Sequence, residues 1–275
     1  MKKKEIAEVV KDSFKTLEKL RHKIPEEFDA DDIHDFRVEV KKLRAFLRLV
    51  NIKKDDDEPI IPKLLKTFYG YIGIVRNIHL LRHDLFKYVT GHCVEKPKAF
   101  LRLIEKEEDY WKKEASELMK DNNFRDVKEK ILEALPGKLE KPRIKKFVED
   151  KLAVLKESLE DLSDDNQMHS IRKVFKDILY TRCFIKHHAD LPKIISEEDK
   201  LKSLSSALGD FMDKSIEIAF LQPSCLDKIK NKKEKLLLID LQKQWDIEKH
   251  ILKEEFTPIL NSLKAQLHDM EISRD

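Results

Sequence analysis

The sequence predicts an all-α protein, and three observations support this. Apolar residues recur at intervals of three and four along most of the chain, rather than at every second position. The 275 residues include only five glycines and nine prolines, so few positions interrupt a helix. Charged residues make up 40% and hydrophobic residues 41% of the chain, a balance that favours amphipathic helices around a core over a disordered chain.

The first helix is predicted over residues 3–23, where apolar side chains line one face. Pro25 and the acidic segment after it predict the end of this helix. Asp31 or Asp32 is the expected N-cap of the next helix, because an aspartate side chain can accept hydrogen bonds from the first backbone N–H groups. The first helix is therefore expected to be a packing element.

The second helix, predicted over residues 33–50, separates its apolar and basic side chains. The basic ones lie three and four positions apart in a narrow row, which we call the basic stripe: His34, Arg37, Lys41, Arg44 and Arg48. Like charges at this spacing repel by a few tenths of a kcal/mol per pair. No acid in register offsets them, so we expect an anionic ligand to do so. The alternative is an ordinary solvated basic face.

Pro59 and Pro62 bound a predicted linker before a third helix over residues 63–88, and the acidic residues 55–58 precede it. On that helix Lys66, Arg76 and His79 are candidates for a second wall of positive groups. Gly73 removes a side chain at the level of the basic stripe. The alternative is that the glycine only lets two helices approach closely, with His79 an ordinary polar residue.

Residues 168–183 repeat the spacing of the basic stripe. His169, Arg172 and Lys176 follow His34, Arg37 and Lys41 at an offset of 135 (169 minus 34), and Gly209 follows Gly73 at an offset of 136. Two matched blocks in the same order predict an internal duplication. We therefore expect two similar antiparallel helical bundles related by a pseudo-twofold axis, residues 1–138 and residues 139–275.

The remaining helices are predicted from periodicity and from the prolines that limit them. Residues 98–134 form one long or two shorter helices. The second half begins with a helix over residues 143–162, and a later helix covers residues 198–221. A long helical pattern over residues 232–270 closes the chain, with an interruption expected near Pro258.

The motifs His-x-x-Arg-Val-x-x-Lys-Lys-Leu-Arg at residues 34–44 and His-x-x-Arg-Lys-x-x-Lys at residues 169–176 resemble the two signature helices of the CHAD domain, the conserved histidine α-helical domain. The resemblance covers nearly the whole chain. It implies non-catalytic binding of inorganic polyphosphate in a basic channel between the halves, without a cofactor. Together with the spacing on the third helix, the expected site comprises His34, Arg37, Lys41, Arg44, Arg48, Lys66, Arg76, His79, His169, Arg172 and Lys176.

The second half departs from the family pattern at several positions. Asp177 and Leu179 stand where further basic residues are usual. In the third-helix blocks, Asn77 stands where an aspartate is usual, and Met212 is the counterpart of Arg76. Whether the second motif still contacts the ligand is therefore left open by the sequence.

Two other functions remain open. Basic helices also bind the phosphates of nucleic acids, although no aromatic residues interleave with the basic stripe for base stacking. His34-Asp35, His83-Asp84 and His268-Asp269 suggest a metal-dependent phosphohydrolase. However, consecutive side chains on a helix point about 100° apart, which makes each pair a poor chelate.

Composition narrows the cellular setting. The formal net charge is +3, so any attraction to a polyanion must come from local charge separation. Cys93, Cys183 and Cys225 form no CxxC pair, which argues against a disulfide framework and a thiolate metal site. No apolar run resembles a membrane span or a signal peptide. We therefore expect a cytoplasmic protein. The family resemblance implies that it also lies on polyphosphate granules and that its partners are polyphosphate and the enzymes that metabolise it.

Overall fold

The computed structural model describes residues 1–50, 61–120, 122–188 and 190–272. Over these residues the regular secondary structure is helical. Lys2 and Lys138 form an isolated antiparallel β-bridge. The helices are α1 (Lys3–Glu27), α2 (Ala30–Leu49), α3 (Lys63–Gly91), α4 (Lys98–Lys120), α5 (Arg125–Glu133), α6 (Lys141–Ser158), α7 (Asp165–Ile185), α8 (Lys193–Ser196), α9 (Glu198–Phe220), α10 (Pro223–Leu226) and α11 (Lys232–Ile272). The all-α prediction is confirmed.

The helices form two groups that meet along α2 and α7. In the first group α2 packs against α1 and α3, and in the second group α7 packs against α6 and α9. α2 also packs against α7, and α3 packs against α9, so the two groups are joined along their central helices. α4 covers α3, and α11 covers α9. The helices of both groups therefore pack in the same order. The internal duplication and the domain boundary after residue 138 remain predictions.

The halves share an apolar interior. One large cluster of buried side chains draws residues from α1, α2 and α3 as well as from α6, α7 and α9. A second cluster lies among α3, α4, α9 and α11. Between the halves, the rings of Phe46 on α2 and Phe184 on α7 lie 5.1 Å apart. Because full burial of a phenylalanine side chain contributes about 1.5–3 kcal/mol, this shared interior holds α2 and α7 side by side.

α1 continues past Pro25, so the prediction that it ends there is wrong by a few residues. A proline inside a helix removes one hydrogen bond and crowds the preceding turn. Here the last turn is held by Phe28, whose side chain is buried and whose N–H donates to the carbonyl of Ile24 at 2.7 Å. Phe28 itself adopts a left-handed conformation with φ 51° and ends the helix.

The N-cap of α2 is Asp29, not the predicted Asp31 or Asp32. The Asp29 carboxylate accepts hydrogen bonds from the N–H groups of Asp31 at 2.9 Å and Asp32 at 3.0 Å. These hydrogen bonds hold the pKa of Asp29 below its usual value. The two predicted residues instead occupy the first turn, where their negative charges suit the positive end of the helix dipole.

The predicted interruption of the last helix near Pro258 is also wrong, because α11 runs through it. Because proline has no backbone N–H, one carbonyl in the preceding turn lacks its helical hydrogen bond. Pro258 is exposed, so water can bind to that carbonyl instead. The buried side chains of Phe256 and Leu260 flank it and anchor the helix on both sides.

Other boundaries agree with the sequence to within a few residues. Residues 98–134 form two helices, α4 and α5, the second of the two alternatives. The acidic residues 55–58 and Pro59 at the start of the linker lie outside the described residues. Among the described helices none combines the length and the apolar character needed to cross a membrane.

Candidate functional site

A cavity of about 330 Å³ lies between α2 and α7, and most of its wall is basic. The predicted apolar face of α2 is buried, with Phe36 and Val40 at 0% and 1% exposure, which turns the edge of the helix toward α7. The side chains that line the cavity are Lys41, Arg44, Arg48, Tyr69, His169, Arg172, Lys173, Lys176, Asp177 and Tyr180. Six of the predicted site residues are thus brought together, three from each half.

Arg37 lies beside this cavity and supports its wall. Its guanidinium group donates to the backbone carbonyl of Tyr69 at 2.8 Å and lies 4.2 Å from the centre of the Tyr69 ring. It occupies the space that a side chain at position 73 would need, since a methyl group on Gly73 would overlap Nη1 and lie 3.1 Å from Cζ. Gly73 therefore makes the room that the sequence predicted.

Arg172 has the equivalent place in the second half. A methyl group on Gly209 would lie 3.0 Å from Nη2 of Arg172. Nε of Arg172 is buried and has no hydrogen-bond partner among the described residues. In each half, then, the arginine of the signature helix lies over the glycine of the next long helix.

Two of the basic residues are neutralised by aspartates of the opposite half. Arg48 contacts Asp177 with an Nη1–Oδ1 distance of 2.9 Å, and Lys151 of α6 contacts the same carboxylate at 2.6 Å. Arg76 forms a two-pronged ion pair with Asp213, at 2.7 and 2.8 Å. Asp177, the departure from the family pattern, thus joins α2, α6 and α7.

Three other cations have no such partner. Among the described residues, Lys41, Arg172 and Lys176 form no ion pair with a carboxylate, although all three point into the cavity. Burial, together with repulsion from Arg37, Arg172, Arg76 and Lys176, lowers the pKa of Lys41 to about 7. Burial and Arg172 likewise lower the pKa of Lys176. The cavity is therefore a concentration of uncompensated positive charge.

The aromatic and histidine side chains complete the wall. Loss of surrounding water, with repulsion from Lys173, Arg172 and Lys41, lowers the pKa of His169. Burial raises the pKa of Tyr180, so this phenol stays neutral and can donate a hydrogen bond. Nζ of Lys176 lies 5.9 Å from the centre of the Tyr180 ring.

The structure places the remaining predicted site residues elsewhere. His34 and Lys66 are exposed and are not among the residues that line the cavity. His79 contacts the buried carboxylate of Glu108 at 3.1 Å, together with Arg82 and with Lys112 at 2.5 Å. Burial opposes ionisation of Glu108, but hydrogen bonds from these three side chains outweigh it and lower its pKa to about 2. His79 thus belongs to a separate ion cluster between α3 and α4.

Sequence reasoning did not assign Tyr69, Lys173 or Tyr180 to the site. Two of them carry a signal that periodicity could have used. Tyr69 precedes Gly73 by four positions on α3, and Tyr180 follows Lys176 by four positions on α7. Residues four apart share a helix face, so both tyrosines lie on the faces that the basic residues occupy.

The site contains no recognisable metal centre. No group of three or more histidine, cysteine, aspartate or glutamate side chains that could hold a metal ion occurs in the described part of the chain. Asp84, one of the candidates for a phosphohydrolase, contacts Lys214 at 2.7 Å, while its neighbour His83 is exposed. Cys93, Cys183 and Cys225 are free thiols.

By its fold and site, the molecule is a helical protein with a cation-lined cavity between two packed helices. The family model of the CHAD domain matches residues 9–222, most of the chain. The chain therefore belongs to the CHAD domain family.

Comparison of structures agrees on the fold. The protein is similar to the crystal structure of the CHAD domain from the plant Ricinus communis, with a TM-score of 0.67 and 14% sequence identity, over 97% of this chain and 91% of that chain. A likeness at this identity shows the fold alone. No curated protein sequence matches the chain.

Proposed function

We propose that the protein binds inorganic polyphosphate in the cavity between α2 and α7, without catalysing a reaction on it. The observation that carries this proposal is the convergence of Lys41, Arg172 and Lys176 on a cavity where no carboxylate of the described residues pairs with them. Half-buried cations that repel one another destabilise the empty protein. A bound polyanion would remove that cost.

A linear polyanion suits the arrangement better than a single phosphate. Lys41, Arg44 and Arg48 on α2 extend over about 10 Å at 1.5 Å per residue, and Arg172 and Lys176 face them from α7. Arginine donates two parallel hydrogen bonds to phosphate oxygens, and lysine adds a compact charge. Successive phosphates of one chain can therefore meet cations on both walls.

Nucleic-acid binding is the second candidate, and Tyr69 and Tyr180 are the observation in its favour, since aromatic rings can stack on unpaired bases. However, a cation already covers a face of each ring, Arg37 at 4.2 Å and Lys176 at 5.9 Å. A cavity of about 330 Å³ is also small for a nucleotide chain with its bases. We therefore place polyphosphate first and single-stranded nucleic acid second.

The proposed function also predicts where the protein resides and which enzymes it meets. A polyphosphate-binding protein would reside with the polymer, in the cytoplasm and on polyphosphate granules, and would meet the enzymes that make or degrade it. Both statements belong to the proposal and depend on it.

Calorimetric titration tests the proposal, with long-chain polyphosphate, orthophosphate, duplex DNA and single-stranded DNA compared at equal total charge. We expect polyphosphate to bind most tightly, with affinity that falls as salt rises because counterions are released. Arg172→Ala combined with Lys176→Met should weaken binding about ten-fold or more, since two charge-assisted contacts are lost. The matched control is Lys42→Met, because Lys42 is exposed and lies 3.6 Å from Glu39. Equal affinity for orthophosphate, or tighter binding of DNA, would overturn the proposal.

A further inference from the structure

Lys41 occupies a position where its own charge is opposed from several sides. Its ammonium group contacts no carboxylate among the residues that the structure describes. The cationic and titratable nitrogen groups that face it come from three helices: Arg37, Arg44 and Arg48 on α2, Arg76 on α3, and His169, Arg172, Lys173 and Lys176 on α7. The nearby phenol of Tyr180, whose pKa burial raises, carries no charge at neutral pH.

The nearby carboxylates offer Lys41 little relief. Asp177 on α7 is held by Arg48 and by Lys151 of α6, and Asp213 on α9 is held by Arg76. Burial and the charge of Asp213 raise the pKa of Asp210, also on α9, although Arg172 opposes this shift. The lysine therefore lies in a region where an added proton is disfavoured until another negative charge arrives.

We propose that polyphosphate binding is coupled to the uptake of one proton by Lys41, so that the anion and the proton enter the site together. This inference rests on the proposed function and adds its regulation: affinity falls as the solution becomes alkaline. The pH at which the protein is tested would then decide how tightly it holds the polymer.

The physical basis is a difference between the empty and occupied site. In the empty site the pKa of Lys41 is about 7, so near pH 8 only about one molecule in ten carries the charge. Phosphate oxygens beside the amine favour its charged form and return the pKa toward its ordinary value near 10.5. Between these two pH values, binding takes up to one proton, and affinity falls up to about ten-fold per pH unit.

Below about pH 7, Lys41 is already protonated before the ligand arrives, so this coupling vanishes. His169 contributes separately, since its pKa lies below its ordinary value of 6.5. Phosphate oxygens favour the charged form of His169 as well, so its uptake is centred at a lower pH than that of Lys41. Burial and Arg172 also lower the pKa of Lys176, so this lysine shares the alkaline window, and Lys41→Arg separates the part due to Lys41.

The experiment is calorimetric titration of the 275-residue protein with long-chain polyphosphate near pH 8, in two buffers with different ionisation enthalpies. The difference in apparent binding enthalpy gives the number of protons taken up. We expect about one proton for the wild type, and clearly fewer for Lys41→Arg, whose guanidinium is charged at every pH used. Lys42→Arg, an exposed neighbour paired with Glu39, should behave as the wild type.

Affinity measured from about pH 6 to pH 9 gives a second reading. The wild-type affinity should fall above neutrality, whereas that of Lys41→Arg should fall less steeply. Equal proton uptake in Lys41→Arg and the wild type, or a wild type that binds without uptake near pH 8, would overturn this inference and leave the proposed function standing. Absence of polyphosphate binding at every pH would overturn both. If a variant fails to fold, the number of protons that the wild type takes up near pH 6 and near pH 8 still tests the inference.

Discussion

Arg76 of α3 and Asp213 of α9 form a two-pronged ion pair across the two halves, with distances of 2.7 and 2.8 Å. The positions that match them at the predicted offset of 136 are Met212 (76 plus 136) and Asn77 (213 minus 136). If the halves arose by duplication, two equivalent ion pairs would be expected. Arg76 and Asp213 form one of them, and the uncharged side chains of Met212 and Asn77 occupy the positions of the other. Half one therefore supplies the cation and half two the anion.

This pairing predicts that its two members affect binding in opposite directions. Both Arg76→Ala and Asp213→Ala should destabilise the fold by about 1–3 kcal/mol, because each leaves a partly buried charge without its partner. Asp213→Ala should tighten polyphosphate binding by freeing a cation near Lys41, whereas Arg76→Ala should weaken it. Urea unfolding and calorimetric titration of both variants check this. A loss of affinity of the same size in both would show that the pair matters only for folding.

The glycines of α3 provide a matched comparison. At Gly70 an added methyl group meets nothing within 4 Å, whereas at Gly73 it overlaps the guanidinium of Arg37. Gly70→Ala should stabilise the protein by up to about 1 kcal/mol through helix propensity. Gly73→Ala should lose that gain because Arg37 must leave its hydrogen bond to Tyr69, and it should also weaken polyphosphate binding. Thermal unfolding and titration of the two variants measure this, and identical behaviour would contradict the role given to Gly73.

A buried ion cluster predicts how stability depends on pH. Nζ of Lys214 contacts Asp84 at 2.7 Å, Glu217 at 2.9 Å and Glu248 at 3.2 Å. Burial raises the pKa of Glu217 to about 7, against the opposing effect of Lys214. The folded protein thus binds more protons at this carboxyl than the unfolded chain between about pH 4.5 and pH 7, so its contribution to stability falls as pH rises through that window.

Glu217→Gln should therefore make folding stability less dependent on pH. Its stability relative to that of the wild type should be higher near pH 8 than near pH 5. The urea midpoint at several pH values measures this. Glu248→Gln is the control, because that carboxylate is 40% exposed and its removal should leave the slope in place. The same slope in Glu217→Gln and the wild type would rule out this origin.

Catalysis is the last property to test. The described residues hold no cluster of metal-binding side chains, and His34 lies outside the cavity lining. The proposed function is binding without a reaction, so we expect no release of phosphate when the protein is incubated with polyphosphate and magnesium or manganese ions. A phosphate-release assay checks this, with His34→Ala and His169→Ala beside the wild type. Turnover that either substitution abolishes would make the protein an enzyme.

Much of the site could be predicted because it depends on local periodicity. The spacing of Arg37, Lys41, Arg44 and Arg48 places them on one edge of α2, whatever the helix packs against. The internal repeat at an offset of 135 supplied Arg172 and Lys176, and the offset of 136 paired Gly73 with Gly209. Local prediction failed at three places: the N-cap of α2, which is Asp29, and Pro25 and Pro258, where buried neighbours keep the helix intact.

The sequence by itself determined that the chain is helical, which face of α2 is buried, and that a row of cations borders this face. Only the tertiary structure decided which of those cations are neutralised, because their partners are distant in the chain. Arg48 meets Asp177 at a separation of 129 residues, and His79 meets Glu108 at 29. A helical period sets the direction of a side chain within its own helix, but the charge it meets depends on which other helix packs there. Hence Lys41, Arg172 and Lys176 could be identified as uncompensated only once α2 and α7 lay side by side.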